Sequence, residues 1–385
     1  MRGWRRATSK DLHAVVTEVE AAGANLTLEA PGLGSLCLGR RPAAARVIFH
    51  SDAPLASLAR RDHLGLAEAY LHGEIDLEGD LLEVIKVTEV MPPDPTWLER
   101  LARSARLSIR NRRRLQRESI THHYDRPPEF FLAWLDRWRS YTHGYFASPH
   151  DELCRAQARK LQFAMDALGL KAGDRVFDMG CGWGSFLEYA GRQGIRVHGI
   201  TISREQHRFV GELIRRERLP CTVELANFLD FRPREHFDGA VLMGSLEHFS
   251  DYRYAARFLA RHLTPEACIY TDFCTARGGH QTGAFLGRYI WPGAASYVNL
   301  PRLLRALARQ GFGVHELRDD TASYALTVRA WADAFEGVEN DLASRFGQPT
   351  VRAFRLFLRA SQYFLERNRT QGCHLVAGRR AAPLA

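Results

Sequence analysis

The chain has 385 residues with an apolar content of 45%, long enough for two domains and a sizeable core, which excludes a disordered or fibrous class. Its net charge of +9 points to a polyanionic partner, either nucleic acid or an anionic membrane surface. No apolar run approaches the ~20 residues that a membrane-spanning helix requires, so the sequence predicts contact with a membrane but no crossing of it. The seven cysteines (37, 154, 181, 221, 268, 274 and 373) are odd in number and contain no C-x-x-C pair. With no signal peptide in view, they read as reduced thiols in a cytoplasmic protein.

Residues 12–50 read as strand-rich, with "NLTLEA", "SLCLG" and "ARVIFHS" separated by glycine and proline. "APLASLARR", "HLGLAEAYLHGE" and "DLLEVIKVTEVM" read as helices, and "MPPDPTW" (91–97) closes this first domain. "RLARSARLSIRNRRRLQR" (100–117) follows, with eight arginines and no acid. It is either a solvated helix face and linker or a surface for anionic head groups. It lacks the interleaved aromatics that stack on bases, so nucleic acid is not expected as a partner. From about residue 120, "RVFDMG", "RVHGITI", "CTVELANF", "FDGAVLMGS" and "ACIYTDFC" alternate with helical stretches. That alternation predicts an α/β domain with a mostly parallel sheet and helices on both faces. The expected division is an N-terminal α+β domain over 1–97, a basic linker over 98–119 and a larger domain over 120–385.

The most informative stretch is "VFDMGCGWGSF" (176–186), a buried strand end followed by an acid and glycines at 180, 182 and 184. A glycine-rich turn between strand and helix brings backbone N–H groups close to a ligand. The dinucleotide fingerprint is G-x-G-x-x-G. Here the pattern is D-x-G-x-G-x-G, and Asp178 precedes the glycines, where it can meet an ammonium group. This suits S-adenosylmethionine better than a pyrophosphate. "IRVHGITIS" (195–203) ends in hydroxyls at the carboxyl edge of the sheet, where a ribose would sit.

These landmarks, taken in order, resemble the cyclopropane-fatty-acyl-phospholipid synthases over nearly the whole chain. "GLAEAYLHGEIDLEGDL" (65–81) is similar to that family's N-terminal lipid-associated domain. "HYDRPPEFFLAWLD" (123–136), "SYTHGYF" (140–146), "VFDMGCGWG", "GITIS" followed by Gln206, and "GSLEHF" (244–249) resemble its entry, cofactor, ribose and E-H motifs. "YIWPGA" (289–294), "SYALTVRAW" (323–331) and "ASQYFLERN" (360–368) resemble its later segments. The resemblance implies a Rossmann-like class I methyltransferase domain with a mostly parallel sheet, preceded by a smaller α+β lipid-associated domain. It also implies methyl transfer to the double bond of unsaturated phospholipid acyl chains at an anionic membrane surface, by a peripheral protein. A homodimer is an open option.

The resemblance implies a cofactor site of Tyr124, Tyr141, Thr142, Asp178, Gly180, Gly182, Gly184, Thr201, Gln206, Asn227 and Phe228. In the family a bicarbonate ion, held by cysteine, glutamate, histidine and tyrosine side chains, removes the proton. Glu247 and Tyr324 match the glutamate and tyrosine. His143 stands at the cysteine of Y-S-C-A-Y-F, Asp272 at the histidine, Ser361 at a second cysteine, and Pro127-Pro128 at the G-N of the entry motif. The catalytic set is therefore Glu247, Asp272, His143 and Tyr324. Bicarbonate is doubtful, because the Asp272 carboxylate would repel it, and Asp272 or His143 becomes the expected base; a purely structural pairing of the two is the alternative. No metal is expected. The expected product is a methyl- or methylene-modified chain. A true cyclopropane synthase, an inactive lipid-binding homologue and a small-molecule amine methyltransferase are the alternatives.

Overall fold

The computed structural model describes residues 10–90, 126–248, 251–277, 283–291 and 297–379, so Tyr124 and the arginine segment lie outside the described residues. The chain divides into two compact units, one of residues 1–112 with 338–363, the other of 113–337 with 364–385. The structure thus groups 338–363 with the N-terminal unit, which a division at residues 97 and 120 does not.

In the first unit, β1 (Leu26–Ala30), β2 (Gly34–Leu38), β3 (Ala45–Phe49) and β4 (Ile75–Gly79) form a four-stranded sheet in the order β2-β1-β3-β4. Helices cover Asp52–Ala59, His63–Leu71 and Leu81–Val90, as the sequence predicts. A helix over Lys10–Ala21 falls partly inside the stretch read as strand-rich. Leu12, Val15 and Val19 recur at helical spacing and are all buried, and this outweighs the β-branched composition. The helix Gln348–Glu366 belongs here through Arg352, which reaches Asp76 at 2.6 Å and the Tyr70 carbonyl at 2.7 Å. Tyr363 adds a hydrogen bond to Glu89 at 3.1 Å.

The second unit is built on a seven-stranded sheet, β10-β11-β9-β8-β5-β6-β7. Its strands are β5 (Arg175–Met179), β6 (Arg196–Thr201), β7 (Thr222–Leu225), β8 (Phe237–Met243), β9 (Leu263–Ala276), β10 (Gly313–Asp319) and β11 (Thr370–Gly378). The first five of these, β5 to β9, run parallel, as expected. The sequence reading missed the last two: β11 inserts between β9 and β10 and runs antiparallel to both, so β11 alone points against the rest of the sheet.

Alternate side chains of β5 enter different cores. Val176 joins Leu161, Phe186, Leu187 and Val197 on one face, and Phe177 joins Leu242, Phe258 and Leu259 on the other. Both faces are covered, which is why these strands read as continuous apolar runs. From β5 the chain first winds outward to β6 and β7, then returns on the other side to β8 and β9. The order reverses between β5 and β8, and the crevice beyond their carboxyl ends is where such sheets bind ligands. Among the described residues no helix is long and apolar enough to cross a membrane.

One contact fixes the segment that lies over this crevice. A Cβ on Gly144 would sit 2.9 Å from the backbone carbon and the Cβ of Ala156. Gly144→Ala should therefore destabilise the second unit by about 1–3 kcal/mol, seen as a lower urea midpoint by circular dichroism.

Candidate active site

The end of β5 and the glycine turn form one wall of a cleft at the β5–β8 reversal. Gly180, Gly182 and Gly184 all have positive φ, at 90°, 54° and 78°, which explains glycine at each. The Gly180 and Cys181 N–H groups both donate to the Ile200 carbonyl, at 3.1 and 3.0 Å, and anchor the turn to β6. Gly184 caps the helix Ser185–Gly191 and packs toward Val210 and Leu213, so it shapes the turn without lining the cleft.

The cleft brings together Tyr141, Thr142, Asp178, Gly180, Gly182, Thr201, Gln206, Asn227 and Phe228, nine of the expected cofactor residues. Thr201 donates to Gln206 at 2.7 Å, so the pair forms one polar unit at the end of β6. Asn227 accepts from the Leu229 N–H at 2.9 Å, and Phe228 both borders the cleft and packs its ring on Phe258. Asp178 is 2% exposed, and burial, reinforced by the nearby Asp272 charge, raises its pKa to about 7. A buried acid of this kind is suited to a cationic ligand group.

Sequence reasoning missed several cleft residues. Ser185 Oγ, Ser245 Oγ and Trp183 Nε1 are buried without a protein hydrogen-bond partner. Arg139 also lines the cleft, ties itself to the Trp183 carbonyl at 3.2 Å and pairs with Glu188. Its positive φ of 59° is a tertiary feature with no local signal.

The four expected catalytic residues fall into two groups. Glu247 sits in the short 3₁₀ turn Leu246–His248 after β8, beside the cleft residue His248. Its Oε1 accepts from the Cys274 N–H at 2.7 Å, whereas its Oε2 is shielded from water and has no hydrogen-bond partner. Burial raises its pKa to about 7. Tyr324, near the start of the helix Thr321–Gly337, adjoins Cys274 and lies against the His143 ring at 4.8 Å between centroids.

Asp272 and His143 do not pair with each other, contrary to the expected alternative. His143 Nε2 instead meets Asp320 Oδ2 at 3.1 Å, and the same oxygen meets His374 Nδ1 at 2.5 Å. Burial opposes the charge on Asp320, but hydrogen bonds from the two histidines prevail and hold its pKa at about 2. Burial likewise works against a charge on His374, yet Asp320 and Glu316 raise its pKa.

Asp272 is fully buried on β9 and is not among the lining residues of the cleft. Its Oδ2 accepts from Thr142 Oγ1 at 3.0 Å and lies 3.5 Å from Lys160 Nζ, and its Oδ1 accepts from the Gly244 N–H at 2.7 Å. A carboxylate with both oxygens engaged is poorly placed to take a proton from a substrate. The sequence did contain a signal for its partner: Lys160 lies on the apolar stripe of the helix Leu153–Ala167 with Leu161 and Ala164. Burial lowers the Lys160 pKa, and Asp272 opposes that shift.

A doubly wound sheet with a glycine turn and a mostly apolar cleft carrying a few polar groups at its strand reversal is the architecture of the class I S-adenosylmethionine-dependent methyltransferases, to which this enzyme belongs. The chain belongs to the mycolic acid cyclopropane synthetase family, whose model matches residues 111–375. A domain of unknown function matches residues 37–90. A probable fatty acid methyltransferase from Pseudomonas putida is 29% identical over 314 residues, covering 78% of this chain and 79% of that protein. The cyclopropane-fatty-acyl-phospholipid synthase of Escherichia coli strain K12 is 30% identical over 244 residues, 62% of each chain. Among solved structures, a mycolic acid cyclopropane synthase complexed with SAH and CTAB superimposes with a TM-score of 0.63 at 23% identity. That match covers 68% of this chain and 97% of the other, and it establishes the fold.

The glycine turn supplies a direct test. A Cβ on Gly182 would meet no protein atom within 4 Å, so a side chain there would enter open space at the cleft. Gly182→Val should weaken S-adenosylmethionine binding about tenfold or more by isothermal titration. The left-handed backbone should cost the fold only about 1–2 kcal/mol.

Proposed function

We propose that this enzyme transfers the methyl group of S-adenosylmethionine to a double bond of a phospholipid acyl chain, and that a protein carboxylate takes the released proton without bicarbonate. The substrate class is supported by the names of the relatives, a fatty acid methyltransferase and a cyclopropane-fatty-acyl-phospholipid synthase. In the reaction the alkene attacks the sulfonium methyl, the S–CH3 bond breaks and S-adenosylhomocysteine leaves neutral. Positive charge then rests on the neighbouring chain carbon. Loss of a proton from the transferred methyl then closes a ring; after a 1,2-hydride shift moves the charge to the methyl-bearing carbon, the same proton loss leaves a methylene. Loss from the chain leaves a methyl-branched alkene.

The observation that carries the reading is the free Glu247 Oε2, buried next to a cleft residue and raised to a pKa of about 7. An anion there stabilises a developing cation strongly, because water is excluded. A carboxyl with a pKa near the working pH is also matched to proton abstraction. Asp272, with its oxygens committed to Thr142, Lys160 and Gly244, is assigned a structural part instead. Tyr324 adjoins Cys274, whose N–H holds Glu247 Oε1, and lies against the His143 ring. A methyl or methylene branch is the favoured product.

Cells making this protein and fed methyl-deuterated methionine should yield acyl chains with one added labelled carbon. Retention of all the label marks a methyl branch, and loss of one deuteron marks a methylene or a ring. Glu247→Gln should slow turnover by ~10²–10⁴-fold while leaving S-adenosylmethionine binding intact. Because the base form lies above its pKa, the wild-type rate should rise with pH through about 7, and the variant should lose that limb. Activity that vanishes in bicarbonate-depleted buffer would return the ordinary cyclopropane mechanism to first place.

Membrane association is assigned to the arginines at 100–117, which hold eight like charges without an acid. Binding to anionic vesicles should weaken as salt rises, since exposed charges are screened over about 8–10 Å at physiological ionic strength. Equal sedimentation with neutral vesicles would count against it.

A further inference from the structure

The cleft has two lips from distant parts of the chain. One is the segment Ser140–Thr142, which precedes the helix Leu153–Ala167, and the other is Met243–Ser245 at the end of β8. They touch closely: Gly244 has a positive φ of 60°, and a Cβ there would fall 2.4 Å from Thr142 Cγ2. Beneath this contact lie Lys160 and Asp272, both fully buried. Lys160 Nζ donates to Ser140 Oγ at 2.9 Å and to Thr142 Oγ1, and stands 3.5 Å from Asp272 Oδ2. Asp272 accepts from Thr142 Oγ1 at 3.0 Å and, through its other oxygen, from the Gly244 N–H at 2.7 Å. The Gly244 N–H also lies 3.2 Å from the Asp272 carbonyl. Apart from their contact with each other, the side-chain hydrogen bonds described for this pair run to Ser140 and Thr142 on one lip and to Gly244 on the other.

A buried ion pair is weak evidence for stability, because the desolvation of two charges offsets their attraction. In some proteins such a pair fixes register instead, since each partner tolerates only a narrow geometry. We propose that Lys160 and Asp272 are positioning residues that clamp the two lips of the cleft in register for S-adenosylmethionine. Neither needs to touch the cofactor. Thr142 passes the constraint from the pair to one lip, and the Gly244 amide passes it to the other. The proposal rests on the cleft being the cofactor site, and it gives Asp272 a purpose that proton abstraction does not.

The test compares Lys160→Met with the double variant Lys160→Met/Asp272→Asn, reading thermal unfolding and binding of S-adenosylmethionine and S-adenosylhomocysteine by isothermal titration. Lys160→Met leaves Asp272 buried without its counter-charge, so both stability and affinity should fall. The double variant removes both charges at nearly constant shape. Its unfolding temperature should return most of the way to wild type, while affinity for both ligands stays about tenfold to a hundredfold weaker, as expected when reacting or binding groups lose their placement. Recovery of affinity together with stability would reduce the pair to a structural role and overturn the proposal. Where Lys160→Met alone does not fold, the double variant still decides: wild-type affinity in it overturns the clamp. A wild-type chain that binds neither ligand would overturn the cofactor reading itself, and this proposal with it.

Discussion

Much of the second unit follows from where its sheet changes direction. Because β5 and β8 are neighbours whose connections leave to opposite sides, a crevice opens beyond their carboxyl ends. The glycine turn after β5 and the residues after β8 both open into that space, and the segment before the helix Leu153–Ala167 closes over it. The chemistry of the cleft is then set by which polar groups these ends carry.

Asp272, Asp320, Asp178 and Glu247 are withdrawn from water, and the fold treats them in two ways. Asp272 faces Lys160, and Asp320 faces two histidines. Both are provided for by the protein and have little left to offer a ligand. Asp178 and Glu247 have no such counter-charge, and burial lifts each to a pKa of about 7. Groups whose environments push their titration apart mark a division of labour. Here the two acids without a counter-charge belong to the cleft and its border, where a cationic ligand group would supply the missing positive charge.

The parallel half of the second unit was legible because its inner strands β5 and β8 are buried on both faces, giving apolar runs punctuated by glycine. Seven of the nine cleft residues named from sequence lie on or just after those strand ends, where chain position dictates spatial position, while Tyr141 and Thr142 come from the segment before the helix Leu153–Ala167. The partner of His143 was not legible: Asp320 lies 177 residues away, and nothing local in "RDDTAS" distinguishes it from a helix-start acid. His374 was hidden for the same reason, since β11 itself went unread. Asp272 misled because a carboxylate on a strand end looks available until the lysine beneath it is seen. The helix Lys10–Ala21 shows the opposite failure, in which β-branched composition masked a clear helical spacing of buried residues.

The placement of β11 has a consequence for how the molecule comes into being. This strand is contributed by residues 370–378, yet it occupies an interior position between β9 and β10. During synthesis β9 must wait with one edge unpaired while nearly a hundred further residues emerge, since domains are built from the N-terminus onward. An open strand edge is a template for unwanted pairing. The nascent chain therefore has a vulnerable interval that ends only when the last strand slides into the sheet. The same event delivers His374 to Asp320, so sealing the sheet and completing the buried charge network are a single step.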